Sequence, residues 1–342
     1  YGAQAANGVV LVTTRSGRVG KGQVTFDAYT GWQTVSRQVD MLNAKEYKII
    51  MNEQALNSGA APIDFSSMGE LANTNWMDYM LKDNARTSNY NLGISGGTET
   101  SLYSISFNYI DQEGVVGGKG VSYYERYGAR LNSEHKLYGN FLRVGQHLNF
   151  NFIKNNGINV GNQYNNTLRG AYITSPLSPV YSDNNAFESP YNDTSASPWF
   201  NGDGNPYGLM MTNSNNRSVA QRLLADVFAE LEPIKNLKIK STVGLNYYAS
   251  GYRNYNPLYK FSVYSFNTDH TTTSQSMSSG NTLTFINTAT YDFSITPDHL
   301  LSVMVGMEAQ RWLDLGPIQI QPSEIMKIAL VLSLARYFHG LT

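Results

Sequence analysis

Alternation of apolar and polar side chains with a period of two recurs along most of this chain, and it restricts the fold to extended strands. Val24, Phe26, Ala28 and Trp32 share one face of the first segment, opposite Thr25, Asp27 and Gln33. Tyr103, Ile105, Phe107 and Tyr109 alternate with Ser104, Ser106 and Asn108, and Leu142, Val144, Leu148, Phe150 and Phe152 oppose Arg143, His147, Asn149 and Asn151. Gln146 is an exception on that apolar face. Similar segments lie at 89–95, 126–132, 223–231, 237–247, 282–294 and 299–309. They make about nine strands, each near the length that a tilted membrane strand requires. The connections are sorted as well. Short turns are expected at 96–99, near 134–136, at 233–236 and at 296–298, and long links at 35–86, 111–122, 153–217 and 251–281. A membrane barrel has short turns on one rim and long loops on the other. A soluble β-sandwich also alternates, but gives no reason for that sorting. Val24, Phe26, Tyr103, Ile105, Phe107, Leu142, Val144, Val227, Ile239 and Val243 are therefore expected on one outward face, with Asn108, Asn149, Asp226 and Lys240 on the other.

Composition narrows the class further. A net charge of −1 argues against a nucleic-acid partner, and the absence of cysteine removes disulfides and thiolate metal sites. Only 15% of residues are charged while 24 are Tyr, a balance suited to strands that are polar within and aromatic without. Upstream of Gly316 no apolar run approaches the roughly 20 residues of a membrane helix, so a bilayer must be met by strands. Two helices are expected in the first long link. Asn43 caps Ala44 to Asn57, with Tyr47, Ile50, Met51 and Leu56 on a stripe, and Asn75 caps a shorter turn from Trp76 to Leu81.

The first seventeen residues open with Tyr1, Gly2, Ala5, Ala6, Asn7 and Gly8, followed by the β-branched and apolar run Val9 to Thr14. Small residues feeding such a run suit a tight turn before a buried strand. The segment resembles the end of the plug domain in SusC/RagA-type TonB-dependent outer-membrane transporters, and the chain opens inside that motif. The stretch from Asp40 to Tyr47, the phrase from Tyr90 to Glu99 and the run from Tyr109 to Gly114 resemble the same family in the same order. The resemblance spans residues 1–310. It implies an all-β fold, an incomplete antiparallel transmembrane β-barrel of about nine strands preceded by the last plug strand. It further implies import of glycans or peptides across the outer membrane, opened through the plug by the TonB energy-coupling complex and capped by a SusD-type surface lipoprotein. Outer-membrane lipid surrounds such a barrel, and no cofactor is expected.

After Gln310 the character changes. Arg311, Trp312, Gly316, Gln321, Pro322, Ser323, Glu324 and Lys327 form a pattern similar to that of the RodA/FtsW family of cell-wall glycosyltransferases. Ser323 is a helix N-cap, and Ile325 to Ala335 is apolar nearly all round, so an unrelated helix is expected over 323–339. Such helical proteins belong to the inner membrane. The expected division is thus 1–17 for the end of a plug, 18–310 for a partial barrel and 311–342 for a foreign segment, joined near 309–312. An odd apolar loop after the last strand is the plainer alternative.

Catalytic constellations are weak. The five histidines lack metal-ligand spacing, and Gly117-Gly118-Lys119-Gly120 reads as a loop tip because no strand–loop–helix surrounds it. Asp111 and Glu113 stand at a strand end, where carboxylates are usually solvated. Glu324 and Lys327 share a helix side as a surface pair. The link 153–217 is the best candidate for ligand contact. It carries Tyr191, Trp199, Phe200 and Tyr207 among amides, carboxylates and hydroxyls, and aromatic faces with such neighbours suit sugars or peptides. Packing of the same rings within the loop is the plainer reading. An importer module and, from the C-terminal segment alone, a peptidoglycan glycosyltransferase are the two functions considered.

Overall fold

Among the described residues nine long strands form a single antiparallel sheet in the order β1-β2-β3-β4-β5-β6-β7-β10-β11. The structure is a computed structural model that describes residues 16–139, 141–161, 166–183, 187, 189–296 and 299–312. The strands are β1 (Gly20–Gln33), β2 (Ala85–Gly97), β3 (Ser101–Glu113), β4 (Tyr123–Leu137), β5 (Leu142–Asn156), β6 (Arg217–Ile234), β7 (Leu237–Asn256), β10 (Thr272–Thr296) and β11 (His299–Trp312). Two short strands, β8 (Tyr259–Lys260) and β9 (Phe266–Asn267), make a separate hairpin within a loop. Among the described residues no helix is long and apolar enough to cross a membrane. Strands carry the fold.

Register turns alternation into a surface. Val24, Ile94, Ile105, Leu131, Leu148, Ala225, Leu245 and Leu283 stand opposite one another across eight strands. Directly paired residues share a face, so this row is apolar without a break. All ten residues expected outward fall on it or on parallel rows, and Asn108, Asn149, Asp226 and Lys240 occupy the opposite face. Val24 and Phe26 are 68% and 65% exposed. No second large sheet covers that face among the described residues, which removes the sandwich. Along β5 the apolar positions run from Leu142 to Phe152. That span is about 34 Å along a strand, or about 25 Å of height at a tilt of roughly 40°, the thickness of a barrel's apolar band. At its upper limit lies an aromatic row, Tyr90–Tyr109–Tyr127–Phe152, with successive ring centroids 6.2, 4.8 and 6.3 Å apart. This is the wall of an incomplete transmembrane barrel, open at β1 and β11 among the described residues.

The polar face is held by side-chain ladders. Arg126 donates to Asn108 Oδ1 at 2.9 Å, and the Asn108 amide donates to Asn89 and Asn91. Lower down, Arg143 bridges Glu134 and Glu230 at 3.2 and 2.8 Å. Phe228 is buried among these charges, with Lys240 Nζ 4.2 Å from its centroid and its ring packed over Gly145. A Cβ at Gly145 would lie 2.5 Å from Phe228 Cε1, so only glycine leaves room for the ring. On the apolar face Tyr103 lies in the same way across Gly96 and Gly22. Gly17 is buried against the Tyr103 backbone, so the chain entering β1 runs over the β2–β3 hairpin.

Two expected boundaries need correction. The β4–β5 turn is not near 134–136: Glu134, His135 and Lys136 pair with Gly145, Val144 and Arg143, and the reversal follows at Tyr138 and Gly139, both at positive φ. On β4 the polar run Ser133 to Lys136 masked the pairing, because neither face of that segment is apolar. The link expected at 251–281 shrinks to 257–271, since Thr272 already pairs with Asn256. Ser274, Ser276, Ser278 and Ser279 extend above the apolar band, where water on both faces leaves no alternation to read.

Candidate functional site

At the rim opposite the short turns, the four long links knit into one cluster. Its core is Trp76, Met77, Met80, Val121, Ala171, Val180 and Met210. Helix α1 (Ala44–Asn57) begins at Asn43, whose side chain accepts from Lys45 N and Glu46 N while Glu46 returns a bond to Asn43 N. Despite this capping box α1 fully buries no side chain: of its expected stripe Tyr47 and Met51 are half-buried, and Ile50 and Leu56 are exposed. Asn75 caps α2 (Trp76–Met80), which drives Trp76 and Met80 into the core. Trp76 Nε1 donates to Ser175 O at 3.1 Å, and Thr74 Oγ1 to Ser178 O at 2.8 Å. Helix α3 (Thr167–Ile173) supplies Ala171, and α4 (Pro206–Thr212) supplies Met210. Asn205 is fully buried ahead of α4; its amide donates to Val180 O at 2.7 Å and its Oδ1 accepts from Gly208 N at 2.9 Å.

Of the four aromatics singled out in the sequence, the fold brings two together. Tyr191 and Tyr207 meet edge to face at 5.6 Å, and both contact Tyr181, at 5.9 and 6.2 Å. Tyr79, which the sequence did not suggest, completes the group at 5.7 Å from Tyr207 and 6.3 Å from Tyr181. Tyr79 and Tyr181 are 43% and 50% exposed, so the cluster presents open ring surface. Trp199 is elsewhere, buried with its ring 5.5 Å from Phe65, and Phe200 stacks on Tyr264 at 6.1 Å. Tyr79 lies more than one hundred residues from Tyr191, and no local pattern links them. Burial, together with Tyr207 for the first and Tyr181 for the second, pushes the Tyr181 and Tyr191 hydroxyls above the usual phenol range. They are neutral donors at ordinary pH.

Two carboxylates flank this region. Asp193 is penalised by burial, but bonds from Ser195 and the Lys260 ammonium at 3.2 Å outweigh that and hold it below the usual range. Burial raises Asp203, with Arg169 at 3.5 Å opposing it. The arrangement offers flat apolar faces, phenol donors and charge-paired carboxylates, which suits stacking on a ligand more than breaking a bond in one.

The sequence reading missed a hub at the strand tops. Asp111, expected to be solvated, is 4% exposed and is bridged by Arg86 at 3.0 Å and Lys119 at 3.2 Å. The 118–120 turn folds back over β3, with Lys119 N donating to Glu113, and this covers the carboxylate. The motif residues Tyr1, Gly2, Ala5, Ala6, Asn7 and Gly8 lie outside the described residues. So do Gly316, Gln321, Pro322, Ser323, Glu324, Lys327 and the helix expected at 323–339. Arg311 and Trp312 close β11, where they pair with Leu283 and Thr282.

Strand order, sorted loops and a lipid-facing row define the class as a transmembrane β-barrel, present here as a partial wall. Similarity makes that class particular. The chain is 32% identical over 246 residues to the TonB-dependent receptor P26 of Formosa agariphila, covering 71% of this chain and 23% of that protein. It is 30% identical over 198 residues to the TonB-dependent receptor SusC of Bacteroides thetaiotaomicron, covering 57% and 18%. Its fold matches the RagAB peptide transporter with a TM-score of 0.74 at 20% identity, over 90% of this chain and 37% of that one. The RagAB importer in its open-open state matches with a TM-score of 0.71. The resemblance to SusC/RagA-type TonB-dependent transporters is thereby shown, and the chain spans about a quarter or less of the curated relatives it matches. A second family, the cell cycle proteins FtsW/RodA/SpoVE, matches residues 286–341. That match begins within β10, ahead of the join expected near 309–312, and its first part falls on strands that pair in register with the sheet.

Proposed function

We propose that residues 18–310 are part of the barrel of an outer-membrane importer for glycans or peptides, driven through TonB and closed at the surface by a SusD-type lipoprotein. Residues 1–17 are read as the end of its plug, and 311–342 as a segment foreign to the barrel. The observation that carries the proposal is the pairing of an apolar row that runs across eight strands with a loop cluster gathered, among the described residues, at one rim. The aromatic group of Tyr79, Tyr181, Tyr191 and Tyr207 is the proposed ligand platform. Trp199 and Phe200 support the loops around it. No enzymatic step is assigned to this chain, and the RodA/FtsW-like segment is too small a part to carry glycosyl transfer. The test is retention of the refolded chain on an oligosaccharide array and on a random-peptide array. Binding on one array, weakened at least tenfold in a Tyr191→Ala/Tyr207→Ala variant, is expected, since stacked rings carry such contacts. Retention on neither, or binding indifferent to both substitutions, overturns the platform.

A further inference from the structure

Immediately above the aromatic row, the outward face changes character. The next paired positions are Asp111, Glu125 and Lys154, standing in register across β3, β4 and β5. Lys154 pairs in turn with Val219, two residues from Arg217 on the same face of β6. A cavity of about 250 Å³ opens here, lined by Lys119, Tyr123, Glu125, Lys154 and Arg217. Three cations line it against one carboxylate.

Internal pairing leaves positive charge over. Lys119 Nζ reaches Asp111 at 3.2 Å and Glu125 at 3.8 Å, and Lys154 reaches the same Glu125 at 3.9 Å. Arg86 also serves Asp111. Arg217 has no ion pair among the described residues, and its direct cross-strand partner is Arg253. Like charges directly opposite on a sheet destabilise the pairing, so an anion between them and the lysines relieves a real repulsion. Lys154 Nζ also sits 5.6 Å from the centroids of both Tyr127 and Phe152, which ties the charged layer to the aromatic one.

Depth decides which anion. Aromatic rows of membrane barrels sit at the bilayer interface, and outward positions just beyond them face lipid headgroups. We propose that this cavity binds the phosphate of an outer-leaflet lipid headgroup. The Arg217 guanidinium offers a planar fork to two phosphate oxygens, the Lys119 and Lys154 ammoniums neutralise its charge, and the Tyr123 hydroxyl donates. The acyl chains then lie over Tyr109, Tyr127 and Phe152. The cavity depends on the membrane reading of the sheet only for which face meets lipid, and it is distinct from the loop platform.

Native mass spectrometry of the refolded full chain in detergent tests this, with phosphatidylglycerol and phosphatidylcholine as probes. Phosphatidylglycerol should be retained about tenfold more than phosphatidylcholine, because the choline cation of the latter repels the pocket's surplus cations and neutralises the phosphate charge they attract. A Lys119→Gln/Lys154→Gln/Arg217→Gln variant should abolish the preference. Arg217→Gln alone, which breaks no ion pair, should reduce it severalfold with strand content unchanged by circular dichroism, and Arg130→Gln on the polar face should leave it intact. Equal retention of the two lipids, or an unchanged preference in the triple variant, overturns the pocket while sparing the membrane reading. Displacement of the lipid by inorganic phosphate at equal concentration overturns the headgroup assignment. Retention of neither lipid overturns the membrane reading and the pocket with it.

Discussion

Asp193 ties a loop together through one charge. Its carboxylate accepts from Ser195 N at 3.0 Å and pairs with Lys260 from the β8–β9 hairpin at 3.2 Å. Because its folded value is depressed, its stabilisation is fully present above the usual 3.8 and is lost as pH falls from there through the folded value. Acid titration followed by tryptophan fluorescence should show this limb, and Asp193→Asn should remove it. Asp203 is raised instead, so its contribution has the opposite slope. Trp199 gives a second test. Its Nε1 is buried without a hydrogen-bond partner among the described residues, while its ring packs on Phe65. Trp199→Phe should leave the melting temperature unchanged or raise it, because an unsatisfied donor carries a penalty of about 1–3 kcal/mol. Trp199→Ala should lower stability by about 3–5 kcal/mol.

At the scale of elements, capping and packing separate cleanly. Helix α1 has a full capping box and fully buries no side chain; beyond its cap it is tied at its surface, by Ala44 N donating to Asn73 and Ile63 N donating to Asn52, so local terms weigh heavily in its order. Asn43→Ala should destabilise it by about 1 kcal/mol, seen as faster amide exchange over 44–57 with the global unfolding midpoint unmoved. Strand β5 is the reverse case, held by its neighbours. Gly145→Ala drives a Cβ into Phe228, so the ring must leave Lys240 and Arg143. A loss of about 1–3 kcal/mol is expected in denaturant unfolding, as for other overpacked sites. Reducing the ring with Phe228→Leu in the Gly145→Ala background should recover part of it.

For the molecule as a whole, the open sheet order governs behaviour. Among the described residues β1 and β11 each present an unpaired edge, and edges template association. The refolded chain should give no discrete conductance in planar bilayers and should associate as its detergent is diluted. Stable single-channel steps from the purified chain contradict an incomplete wall. The exposed apolar rows, Val24 and Phe26 among them, need lipid or detergent to replace water.

Alternation by itself determined the strands, their faces and the sorting of turns, because a half-buried strand repeats every two residues and local sequence carries that signal. The Asn43 and Asn75 caps were legible for the same reason, since a cap acts within one helical turn. Strand ends above the apolar band were not, as water on both faces erases the pattern. Nor could the sequence place Tyr79 beside Tyr207, bury Asp111 beneath the 118–120 turn, or set Arg217 against Arg253. Those neighbours come from different links and strands. Only the register of the sheet and the packing of its loops bring them within reach, and side-chain chemistry over distances of a few ångströms is decided there.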